Sequence, residues 1–147
     1  MNAAKISLED RQAIYDNLRM YAWCLDQANG AGVASTFTKD GTVVTATANW
    51  HGPEGIANFV ANAASQPGIF GRQHHTQPLF LEEVDGNVVM TSYWMVVTSH
   101  VGKDPFIVYI GYYRDTCVQE EGQWRFKEKV INRWNDTTSP PLAEPAR

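Results

Sequence analysis

Two of the four histidines in this chain of 147 residues, His74 and His75, stand side by side at the head of an extended, turn-bounded run. An imidazole held by a carboxylate is a common device for moving protons near neutral pH, because the carboxylate orients the ring and stabilises its charged form. Adjacent residues at the start of a strand point to opposite faces, so only one of the pair can enter a common interior. His74 is the first choice and His75 the reserve, with a satisfied structural pair as the alternative. Asp26 is the carboxylate that fits best. It falls near the C-terminal end of the first helical run, at the margin of its apolar stripe, where the helix dipole disfavours a negative charge. Poor siting for stability hints at function, although on the residues alone a solvated surface aspartate is the favoured reading. Tyr21, five residues earlier, could donate to a substrate oxygen or be ordinary core. His51 and His100 sit at an element boundary and a strand end without companion ligands. Cys24 and Cys117 match no metal or redox spacing, and no phosphate-cradling glycine loop is present. The expectation is acid–base chemistry with no cofactor and no metal.

These residues need elements to position them. Ser7 is a helix N-cap with Asp10 three residues on, and Ile14, Leu18, Tyr21, Ala22 and Leu25 recur at helical spacing up to a left-handed stop at Asn29-Gly30. Asp40-Gly41 signals a turn, and the β-branched run from Thr42 to Ala48 predicts a strand. Gly52-Pro53-Glu54-Gly55 opens a second helix along Ile56, Phe59, Val60 and Ala63, which Pro67-Gly68 ends. Four strands follow, over His74 to Val84, Asn87 to Val101, Phe106 to Val118 and Gln123 to Trp134, joined by turns short enough for antiparallel hairpins. The strand from Val88 to Val97 is apolar on both faces, so both must be covered. Helices cover one; a second subunit is the expected cover for the other, which predicts a homodimer or homotrimer. Tyr93, Trp94, Tyr109, Tyr112 and Tyr113 are candidate pocket or interface rings, with core packing as the plainer role for any one of them. A Pro-rich tail, 137–147, trails a single domain, 1–136.

Composition narrows the partners. Hydrophobic residues at 44% and charged residues at 19% describe a globular chain. Aromatic residues reach 12%, which suits a pocket for a flat apolar ligand. Net charge is −4 with no basic stripe, which argues against nucleic acid. No run has the length of a membrane span and the N-terminus lacks the apolar centre of a signal peptide, so a cytoplasmic location is expected.

The order of helix, strand, helix and four strands resembles the cone-shaped α+β fold of nuclear transport factor 2, ketosteroid isomerase, scytalone dehydratase and the SnoaL-like cyclases. Local strings carry the likeness: Tyr21-Ala22-Trp23-Cys24-Leu25-Asp26, Phe37-Thr38-Lys39-Asp40-Gly41, Gly52-Pro53-Glu54-Gly55-Ile56, His74-His75-Thr76-Gln77-Pro78, and Gly122-Gln123-Trp124-Arg125-Phe126 through Ile131-Asn132-Arg133-Trp134. By motif the chain is most similar to the lyase members, the scytalone and bile-acid dehydratase type, which use an Asp–His pair without a cofactor. The family's histidine usually falls where Gln73 stands, one position early, and a bulge could bring His74 inward. The resemblance implies an elimination, a dehydration or a formaldehyde release, from a hydrophobic aromatic or polycyclic alcohol. Asp26 and a histidine would form the base, Tyr21 and Arg133 would assist at oxygen, and Trp23, Tyr93, Tyr109 and Tyr112 would bind substrate. An Arg133 paired with Glu128 or with solvent is the alternative for that residue. Because one fold hosts many functions, two rivals stand beside this: isomerase or cyclase proton transfer, and a non-catalytic small subunit resembling that of ring-hydroxylating dioxygenases.

Overall fold

The computed structural model describes residues 3–66, 71–99 and 102–134. His100, the Pro67-Gly68 helix end and the Pro-rich tail lie outside the described residues. Helix α1 runs Leu8–Asp26; the Ser7 hydroxyl caps it by accepting from the Asp10 amide. Asp10 in turn accepts from the Trp124 indole at 2.7 Å, which pins the start of the helix to the last hairpin of the sheet. The apolar stripe of α1, with Ile14, Leu18, Tyr21 and Leu25 all but completely buried, lies in the core.

The end of α1 differs from expectation. Ala28, not Asn29 or Gly30, takes the left-handed conformation (φ 53°), and its amide returns to the Leu25 carbonyl. Asn29 is thereby freed to cap a short helix α2, Gly30–Ala34, through its side-chain oxygen and the Gly32 amide. Asp40-Gly41 is likewise not a turn. Strand β1 spans Phe37–Val44, and its pairing shifts register between Phe37 and Thr42, around Gly41. A Cβ at Gly41 would come 2.7 Å from that of Phe37 and 3.0 Å from the Thr38 carbonyl oxygen, so glycine serves a close approach there. Strand β2 (Asn49–His51) folds back on β1, and helix α3 (Gly52–Ala64) follows with Pro53 in its first turn.

The remaining strands are β3 (Gln73–Val84), β4 (Asn87–Thr98), β5 (Phe106–Glu120) and β6 (Gln123–Arg133). The six strands form one curved sheet in the order β2-β1-β6-β5-β4-β3. All neighbours are antiparallel except β1 and β6, which run parallel, so the sheet is mixed and not wholly antiparallel. One face closes on α1 and α3, and together they make the α+β cone foreseen from the order of elements. No helix among the described residues is long and apolar enough to cross a membrane.

Candidate active site

Asp26 is the last residue of α1, and β3 begins beside it. Its carboxylate accepts the backbone N–H of His74 with both oxygens, at 3.0 and 3.1 Å, and meets ring Nδ1 of the same residue at 2.6 Å. Holding both the backbone and the ring fixes where the imidazole sits and which way it turns. With Nδ1 committed to the carboxylate, Nε2 is the nitrogen left for proton transfer. Both side chains are nearly enclosed, at 11% exposure for His74 and 13% for Asp26.

His74 lines a cavity of about 680 Å3 between the sheet and the two long helices. Alternation along β3 then sends His75 to the outer face, where its ring meets Gln73. The register shift in β3 lies between Pro78 and Phe80, past the histidines, so simple alternation and no bulge turns His74 inward. Arg72 shares that inward phase. Its guanidinium donates to the Leu25 carbonyl at the end of α1 and to the Ala63 carbonyl at the end of α3, close enough to Asp26 for the two charges to attract. One cation thus satisfies the carbonyl ends of both helices at the mouth of the dyad. The sequence offered a signal for Arg72: two residues before a strand histidine means the same face.

Tyr21 and Tyr113 also line the cavity, their rings edge to face at 6.0 Å. Burial pushes both phenols well above their ordinary range, so they stand as neutral hydrogen-bond donors. The Tyr21 hydroxyl has no hydrogen-bond partner among the described residues; that of Tyr113 is a neighbour without bonding geometry. Trp94 stacks on Tyr113 at 5.5 Å with 14° between the planes, and its indole N–H is also unpartnered among the described residues. Arg133 lies on the cavity wall with its guanidinium carbon 3.7 Å from the centre of the Tyr109 ring.

Comparison with known proteins follows the same outline. The SnoaL-like domain family matches residues 7–130. The chain belongs to that family. Among curated proteins none matches. Solved structures share the fold at low identity. A function-unknown protein from Mycobacterium tuberculosis is 22% identical with a TM-score of 0.78, covering 93% of this chain and 84% of its own. ActVI-ORFA from Streptomyces coelicolor is 22% identical with a TM-score of 0.74, over 84% of this chain and 96% of its own. A protein from Novosphingobium aromaticivorans proposed to be a scytalone dehydratase is 20% identical with a TM-score of 0.72, over 95% and 97%.

Within this SnoaL-like chain the expected binding residues divide. Tyr109 is on the cavity wall. Trp23 is not: it points out from α1 at 64% exposure, because helical spacing from Tyr21 turns it away from the core. Tyr93 and Tyr112 face each other across β4 and β5 on the outer surface, where both pack on Trp134. Strand alternation opposes them to Trp94 and Tyr113, the rings that do enter the cavity. His51 bonds Thr42 through Nδ1 at 3.0 Å, away from the cavity. Among the described residues no group of three or more His, Cys, Asp or Glu is placed to hold a metal ion.

Behind the tyrosines lies a pair that the sequence reading passed over. Lys129 and Asp115 are fully buried and joined at 2.7 Å. Burial pushes Asp115 up to about 6 against the pull of the Lys129 ammonium, and burial lowers Lys129.

Proposed function

We propose that this protein is a cofactor-independent lyase that removes water, or a related fragment such as formaldehyde, from an apolar aromatic or polycyclic alcohol. The observation that carries the reading is the hold of Asp26 on both the backbone and the ring of His74 at the wall of the cavity. Dehydration breaks a C–H and a C–O bond and forms C=C. Nε2 of His74 takes the proton from carbon while Asp26 stabilises the imidazolium. The departing hydroxyl takes that proton back from the His74 imidazolium and leaves as water, its oxygen held by the unpartnered Tyr21 donor, while Arg133 steadies a second substrate oxygen. Two further observations support the reading. The cavity falls within the roughly 300–1,000 Å3 range of small-molecule sites, and its rings suit a flat substrate. A fold neighbour is itself proposed to be a scytalone dehydratase.

The test is a panel of aromatic β-hydroxy ketones followed by ultraviolet absorbance, since loss of water creates a conjugated chromophore. The expected result is a product band that depends on enzyme and is absent with His74→Ala. Solvent deuterium entering beside the carbonyl with no loss of water would overturn the lyase reading in favour of isomerase or cyclase chemistry.

A further inference from the structure

A lysine sealed in a core is costly. Its ammonium gives up hydration, and replacing such a pair by well-packed apolar residues is often neutral or even stabilising. Lys129 is 0% exposed, with Asp115 at 2.7 Å as its carboxylate partner. The rest of its surroundings are aromatic. The ammonium stands 3.9 Å from the ring centre of Tyr113, 4.3 Å from that of Tyr21 and 4.5 Å from that of Phe126. Two of these rings line the cavity that holds His74, while Lys129 is set behind them, outside the lining. The positive end of a buried ion pair therefore lies directly behind the two phenols.

The wall in front of that charge is short of partners. The Tyr21 hydroxyl and the Trp94 indole N–H, both of lining residues, are buried donors without an acceptor among the described residues. Buried donors of this kind call for an acceptor, water or ligand. Donors backed by a cation in a region of low dielectric suit a negative oxygen best, because nothing has to reorganise when charge develops there.

We propose that Lys129 is a positioning residue that acts through Tyr21 and Tyr113, making this wall a receptor for an aromatic oxyanion, a phenolate or a conjugated enolate. The proposal rests on the lyase reading and adds to it where negative charge collects as His74 withdraws the proton. Asp115 fixes the ammonium over the rings and prevents it from turning into the cavity. The other charged or titratable groups with electrostatic influence on the phenols or Lys129 are Asp115, Asp26, Arg72 and Cys117. Asp115 and Asp26 oppose an oxyanion and Arg72 favours it, so the Lys129–Asp115 pair is removed as a unit while Asp26 and Arg72 stay in place.

The experiment needs no turnover. The probe is 4-nitrophenol, whose phenolate is yellow, titrated from pH 5 to pH 9 in the presence of saturating protein. The expected result is a bound probe at least tenfold more acidic than the free one in the parent. That gain should be lost in Lys129→Met/Asp115→Leu, which removes both charges and keeps apolar bulk, and retained in Lys129→Arg. Circular dichroism melting establishes that the variants are folded. Equal acidity of the bound probe in the parent and the folded double variant would overturn the proposal. So would failure of the parent to bind the probe, or to acidify it, and this arm stands even if no variant folds. The dyad is tested separately by His74→Ala, which should leave the bound probe at least tenfold more acidic than the free one. Loss of the lyase reading and loss of the oxyanion site are thus distinguishable.

Discussion

At the scale of single residues the site depends on one carboxylate meeting one histidine at three points. Asp26→Asn keeps the shape and a partner for the His74 amide but removes the charge that supports the imidazolium. Turnover on a responsive substrate is expected to fall about a hundredfold or more, the usual worth of positioned acid–base catalysis. His74→Ala should cost a similar factor and the double variant little more, since partners acting as a unit are not additive. A folded, fully active Asp26→Asn would remove the dyad from the mechanism; His75→Ala, altering an outer-face residue, should be silent. A second prediction concerns Asp115, which burial raises from its ordinary 3.8 to about 6. Between these values the folded chain holds more protons than the unfolded one. Its contribution to stability is therefore complete below about pH 4 and is lost as pH rises through about 6. Urea midpoints of the parent should lose ground to those of Asp115→Asn across that interval. A difference independent of pH would show that Asp115 titrates normally.

Among the elements, β5 and β6 do most to shape the cavity wall. Gly111 on β5 pairs with Arg133 on β6, and the Trp94 ring of β4 lies against it. A Cβ there would sit 2.0 Å from the Asn132 carbonyl oxygen and 2.9 Å from the Trp94 ring. Gly111→Ala should therefore destabilise by roughly 1–3 kcal/mol, the scale of overpacking. The check is a lower urea midpoint with an unchanged slope. It should also disturb the Trp94–Tyr113 stack and hence the near-ultraviolet circular dichroism. The same two strands explain why Lys129 was not legible as an interior residue. Cys117 pairs with Phe126 but Thr116 pairs with Glu128, so Lys127 is an extra residue that advances the phase of β6 by one. Plain alternation from buried Phe126 would have put Glu128 inside; the bulge puts Lys129 there.

For the whole molecule, the outer face of the sheet is open among the described residues. Tyr93, Met95, Ile107 and Ile110 expose between 37% and 58% of their surface on adjacent strands. We propose that a second copy of the chain covers this face. Light scattering at micromolar concentration should give a dimer or trimer, and Ile110→Glu should shift it toward the monomer without unfolding it. A parent that is monomeric under those conditions would exclude this assembly.

The sequence by itself determined the cone and its two ends of chemistry. The helical spacing that buries Tyr21 also carries Asp26 to the end of α1, and two adjacent histidines on a strand must divide between its faces. These are periodicities of the local backbone, so they can be read without tertiary contacts. Only the tertiary structure decided which rings meet the cavity, since Tyr93 and Tyr112 differ from Trp94 and Tyr113 by one strand position each. Periodicity groups residues into faces; which of two apolar faces turns inward depends on what packs against it. The Arg72 clasp on two helix ends and the Lys129–Asp115 pair also belong to this second class. Their partners lie on other elements, and a bulge that moves a charge into the core leaves no trace in spacing alone.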